Sequence, residues 1–148
     1  MNKIVLRTST LGTRYVLDSY QLEYPHFTVD NPPAPRSQLT TPVTMILETG
    51  EYISSVTITI DGYLASPPVS SSSWVAVMRI ETSHPSKPSR SLVSTGTAST
   101  IETVRTFSAP KGWKVVGFRG NGYAKDNTPV SRGTLYSIIG LAPIIAPI

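Results

Sequence analysis

Apolar residues fall on every second position over long parts of this chain. Val56, Ile58 and Ile60 alternate with Ser55, Thr57 and Thr59, the period-two pattern of a strand with one buried and one wet face. Trp74, Ala76, Met78 and Ile80 alternate in the same way with Val75, Val77, Arg79 and Glu81. The run Tyr15–Tyr24 would place Val16, Tyr20, Leu22 and Tyr24 on one face, with Asp18 among them. Shorter β-branched or aromatic runs at Ile4–Thr8, Val43–Leu47, Ile101–Phe107, Trp113–Phe118 and Thr134–Leu141 add further strands. Leu92–Ser99 is a weaker strand signal, and Gly96 predicts a bend in it.

Between the runs lie residues that interrupt regular structure. Thirteen prolines and ten glycines leave no stretch of a dozen residues with a clean 3.6-residue period, so helices are expected to be short or absent. Leu11-Gly12 should close a hairpin between Ile4–Thr8 and Tyr15–Tyr24. Pro25–Pro42 reads as a long loop, because Asn31-Pro32-Pro33 and Pro35 cannot sustain a hydrogen-bonded ladder. Glu48-Thr49-Gly50-Glu51 and Ala109-Pro110-Lys111-Gly112 read as turns. Ser66–Ser73, Ser83–Ser91 and Arg119–Gly133 read as loops. The sum is about nine or ten short strands in one domain spanning residues 1–148. The predicted class is all-β and antiparallel: a sandwich, a barrel or a prism.

Composition narrows the chemistry. Charged residues make up 15% of the chain, and its net charge of +4 is spread over separated positions such as Lys3, Arg36, Arg79 and Arg132. A nucleic-acid footprint is normally a cluster or stripe of basic residues, so no nucleic-acid partner is expected. The chain has no cysteine, which excludes disulfides, thiolate metal sites and cysteine nucleophiles. MNKIVLRTSTLG has no apolar core of the kind a signal peptide carries, and no run approaches the length of a membrane span. A cytoplasmic location and secretion without disulfides both remain open. His26 and His84 lie far apart, and no nucleophile elbow, zinc-protease motif or phosphate loop occurs. Nor does any spacing single out a pair among the few acids. A non-catalytic protein with no cofactor and no metal is expected.

Several segments, taken in order, resemble the jacalin-related lectins. Leu17-Asp18-Ser19-Tyr20-Gln21-Leu22-Glu23-Tyr24 resembles a strand motif of that family, and Gly50-Glu51-Tyr52-Ile53-Ser54-Ser55-Val56 resembles its acidic turn and following strand. WVAVMRIETS resembles the next strand. Val116-Gly117-Phe118-Arg119-Gly120 and Ile138-Ile139-Gly140 resemble the last hairpin. The resemblance implies a β-prism of three antiparallel Greek-key sheets, with another β-sandwich as the alternative. It also implies a lectin that binds mannose/glucose- or galactose-type glycans through loops at one end of the prism. Two features depart from the family. Its glycine-rich first strand has no counterpart before Ile4, and Pro25–Pro42 stands where a glycine-rich loop is usual. The strand Ile4–Thr8 would then have an open edge, to be filled by the tail Ala142–Ile148, by another subunit or by sequence absent here.

In the family a Gly-x-x-x-Asp loop holds the sugar through backbone N–H groups and a carboxylate. Two frames compete for that role. Gly122-Tyr123-Ala124-Lys125-Asp126 keeps the spacing and the acid. Gly133-Thr134-Leu135-Tyr136-Ser137 keeps the position before Ile138-Ile139-Gly140 but ends in serine. The carbohydrate-binding candidates are therefore Gly122, Tyr123, Lys125, Asp126, Gly133, Thr134, Leu135, Tyr136 and Ser137. A plain turn at Asp126-Asn127 is the competing explanation. Tyr123 and Tyr136 would stack on a sugar or pack at the rim, and Trp74 and Trp113 are expected in the core. Single sites of this kind bind at about millimolar Kd, so useful avidity needs an oligomer or tandem domains, and a homo-oligomer is expected. If the sugar site has been lost, the same domain would instead serve protein interaction or assembly.

Overall fold

In the computed structural model every residue is described except 12, 32–41, 65–70, 99–100 and 126–134. Ten strands run in the order β1 (Lys3–Leu11), β2 (Arg14–Glu23), β3 (Thr28–Asn31), β4 (Val43–Ile46), β5 (Tyr52–Leu64), β6 (Ser71–Ser83), β7 (Ser91–Val93), β8 (Ile101–Ser108), β9 (Trp113–Lys125) and β10 (Leu135–Pro147). The described residues contain no helix, and all strand pairings are antiparallel. The all-β expectation therefore holds, and no helix among these residues is long and apolar enough to cross a membrane.

Hydrogen bonding divides the strands into two sheets. One has the order β3-β2-β1-β4, and the other β10-β9-β5-β6-β7, with β8 also paired to β5. The edge expected to lie open beside the first strand is closed in part. β1 lies between β2 and β4, and β4 pairs with it over Lys3–Leu6. The tail is not the filler, because Ala142–Pro147 belongs to β10 and pairs with β9. Within the predicted loop Pro25–Pro42, Thr28–Asn31 forms β3 against β2. Arg119–Lys125 was also predicted as loop, yet it continues β9. Glycine permits a loop but does not impose one, and Gly120 and Gly122 face Leu141 and Ile138 in the ladder.

The second sheet has a weak seam. β9 meets β5 at the single pair Ile53↔Val115, after which β8 takes over the same edge from Ser55 to Asp61. The β9–β10 hairpin thus leaves the sheet almost at once. Its other attachment is to the first sheet: the Tyr20 hydroxyl donates to the Phe118 carbonyl at 3.1 Å, and the Tyr24 hydroxyl donates to the Val116 carbonyl. Burial raises the Tyr24 pKa, with Tyr20 adding to it, so the donor stays protonated.

The main core fills the space between these layers with Ile4, Leu6, Leu17, Tyr20, Leu22, Ile53, Val56, Ile58, Val75, Met78, Ile80, Val115 and Phe118. Tyr20 and Phe118 meet edge to face at 5.5 Å. A smaller cluster contains Val16, Trp74 and Ala76. Two bulges create this split. The β1–β2 register shifts so that Asp18 is the extra residue, and the β5–β6 register shifts so that Ala76 is. An extra residue reverses which side faces inward. Trp74 and Ala76 are buried as predicted, but in a different cluster from Met78 and Ile80, while Val75 joins the main core. Trp113 corrects another expectation: it is 41% exposed, at the start of β9.

Candidate functional site

The sequence-predicted site lies at the far end of the β9–β10 hairpin. Tyr20 and Tyr24 hold Phe118 and Val116 in the opposite chain sense to β2, so β9 runs on toward the Arg14 end of that strand. At that end the Arg14 guanidinium reaches the buried Asp61 carboxylate and the Gly62 carbonyl, both at 3.1 Å. The Trp74 indole N–H donates to the Tyr15 carbonyl at 3.2 Å. Asp61 is fully buried and also faces Ile101 in the β5–β8 ladder. The Arg14–Asp61 pair therefore ties the β1–β2 turn to the ends of β5 and β8.

Six of the nine candidate residues lie in the paired arms of the hairpin. Gly122 pairs with Ile138, Tyr123 with Ser137, and Lys125 with Leu135, while Tyr136 pairs with Ala124. The two competing frames are thus opposite arms of one hairpin. Directly opposed residues in such a ladder have Cα atoms about 4.5–5.5 Å apart. A bulge between Ile138 and Gly140 lies just behind the pair Tyr123↔Ser137. Asp126, Gly133 and Thr134 fall outside the described residues.

A second constellation, at the opposite end of the strands, went unseen in the sequence. Glu48, Glu51, His84, Lys87, Pro88 and Arg90 line a cleft of about 250 Å³. It forms where the turn entering β5 meets the loop between β6 and β7. The Glu51 N–H donates to the Glu48 carbonyl at 2.9 Å, and Gly50 supplies the positive φ (+86°) that such a tight turn needs at its third position. The turn leaves Glu51 pointing at Arg90. The Arg90 Nε donates to Glu51 Oε1 at 2.9 Å, and Arg90 Nη2 donates to Oε2, a forked pair. Arg90 Nη2 also reaches the Ile46 carbonyl at 2.7 Å, the Thr82 hydroxyl donates to Glu51 Oε1 at 2.5 Å, and the Glu48 N–H donates to Oε2 at 2.9 Å.

The electrostatics follow from those bonds. The Arg90 hydrogen bonds, with help from Thr82 and the Glu48 N–H, hold the Glu51 pKa down at about 2 against the opposing effect of burial. Its side chain is only 3% exposed. Lys87 bonds to Glu48 and lowers that carboxyl's pKa as well. The Ser86 N–H donates to His84 Nδ1 at 3.1 Å, which makes Nδ1 the acceptor and puts the proton on Nε2, facing the Thr49 carbonyl at 3.0 Å. A carboxylate with a pKa near 2 is a poor proton carrier at neutral pH, and both ring nitrogens of His84 already have partners. The arrangement clasps two loops together. It does not present an open acid–base pair.

No single stretch of sequence announces this clasp, because Arg90 and Glu51 are 39 positions apart. The only local hints were the two acids flanking Thr49-Gly50 and the basic character of His84–Arg90. Among the described residues no group of three or more His, Asp or Glu side chains is placed to hold a metal ion. No protein-family model, curated protein or solved structure matches the chain.

Proposed function

We propose that the protein is a non-catalytic carbohydrate-binding domain with a jacalin-like β-prism plan, and that its glycan site is the end of the β9–β10 hairpin. The observation that carries this reading is the register of that hairpin. It sets Tyr123 opposite Ser137 and Lys125 opposite Leu135, so both glycine-led frames converge on one place. Backbone N–H groups and a carboxylate at Asp126 would bind sugar hydroxyls there. The prism plan draws support from the weak seam at Ile53↔Val115, which lets β9 and β10 serve as a third face. The test is a glycan array followed by calorimetric titration with the best mannose-, glucose- or galactose-type hit. Saturable binding at about millimolar Kd or tighter is expected, weakened at least about tenfold by Asp126→Ala, the loss expected for one charge-assisted contact. Binding to no glycan, or unchanged binding by the variant, would overturn it.

A second reading, self-assembly, is favoured by apolar side chains on the same hairpin at its other end. Trp113, Ile144 and Ile148 are 41%, 49% and 61% exposed. Trp113 pairs with Pro147, and the Ile148 N–H donates to the Gly112 carbonyl at 2.9 Å, so two of the three lie on neighbouring backbone. The partner would be a second copy of the chain. Ile144→Ser with Ile148→Ser is expected to shift the species seen by sizing chromatography toward monomer. An unaltered elution volume would count against this surface.

A further inference from the structure

Where β9 parts from β5, a wedge opens between the β8 edge and the hairpin. It is a groove of about 230 Å³ lined by Val56, Ile58, Phe107, Phe118, Leu141 and Pro143, with Arg105, Thr106 and Ala142 at its margin. The register explains its composition. Val56 pairs with Phe107 and Ile58 with Arg105, so these four lie on the same side of the sheet. Thr57 and Thr106 lie on the other side, where their hydroxyls meet at 2.9 Å. Val56, Ile58 and Phe118 are buried core residues, so the groove floor belongs to the main core.

Arg105 is the unusual member. It is exposed and is the one charged residue lining the groove, and it makes no hydrogen bond or ion pair with the described residues. Elsewhere in the fold Arg7, Arg14, Arg79 and Arg90 are each matched to a carboxylate. A guanidinium beside an apolar floor suits a ligand with one anionic head and an apolar body. The groove is smaller than the roughly 300–1,000 Å³ clefts that take drug-sized molecules, so it fits a short chain or a single ring. We infer that this groove is a binding site for a small amphiphilic carboxylate, with Val56, Ile58, Phe107 and Phe118 covering the apolar body and Arg105 pairing with the carboxylate. This site is separate from the hairpin end and does not depend on glycan binding.

Octanoate is the probe, and 1-octanol is its uncharged counterpart. Both are titrated into the ¹⁵N-labelled protein and followed by amide chemical shifts. Octanoate should give saturable shifts centred on residues 56–58, 105–107, 118 and 141–143. Arg105→Gln should weaken it about tenfold and bring it level with octanol. The substitution is at an exposed position, so the variant's spectrum should otherwise match the wild type. Three results would each overturn the inference: no saturation up to the solubility of octanoate, shifts centred elsewhere, or equal affinity in the Arg105→Gln variant.

Discussion

At the residue scale, Glu51 shows how far the fold displaces ordinary side-chain chemistry. Its carboxyl is held near a pKa of 2, well below the usual 4.5, by Arg90 and Thr82. A depressed carboxylate pKa stabilises the folded state above the unfolded pKa. That contribution is lost as pH falls from about 4.5 toward 2. The full shift would be worth about 3 kcal/mol, but Arg90 is 40% exposed and solvent screens the pair, so about 1–2 kcal/mol is the better expectation. Glu51→Gln should therefore cost about 1–2 kcal/mol at pH 7, and urea titrations at a series of pH values from above 4.5 down to about 2 should show the difference shrinking. A constant difference across that range would mean the pair contributes no pH-linked stability. Gly96 makes a sharper steric prediction. Its φ is +103°, and a Cβ there would lie 2.4 Å from the Tyr15 ring. Gly96→Ala should cost at least about 2 kcal/mol, read as a lowered urea midpoint.

At the scale of elements, alternation was a good guide and its interruptions were not. The strand through Val56 and Ile58, the hairpin of β1 and β2, the turn Ala109–Gly112 and the bend at Gly96 are all legible in the sequence. The bulges at Asp18 and Ala76 are not, because an extra residue is defined only by the strand opposite it. The same holds for the extension of β9 through Gly120 and Gly122, where pairing with β10 overrides a loop-like composition. Of the candidate site, the hairpin could be read from its two apolar arms. The clasp between Glu51 and Arg90 could not, since it depends on two loops meeting in three dimensions.

The hairpin's anchoring leads to a prediction at this same scale. It is tied to the first sheet by the hydroxyls of Tyr20 and Tyr24 and to β5 by one pair. Replacing both tyrosines with phenylalanine should cost about 1 kcal/mol per lost bond. Native-state hydrogen exchange should speed up in β9 and β10 well beyond any change in β5 and β6. A uniform change across all strands would show that the hairpin does not open as a separate unit.

At the scale of the whole molecule, the two ends of the strands differ in character. One end is braced by the Glu51–Arg90 clasp and by hydrogen-bonded turns at Glu48–Glu51 and Pro110–Trp113. The other carries the turn after β1, the Arg14–Asp61 pair and the β9–β10 hairpin end, where both glycine-led frames meet. A braced end opposite the proposed glycan site would suit a binding domain, since rigid sheets position the loops they carry. The direct test of that plan is an amide chemical-shift map of the ¹⁵N-labelled protein titrated with the strongest glycan-array hit. If the account is right, the saturating shifts centre on residues 122–126 and 133–137, and Asp126→Ala suppresses them. Shifts centred on the cleft at residues 48–51 and 84–90, or none with any glycan, would contradict it.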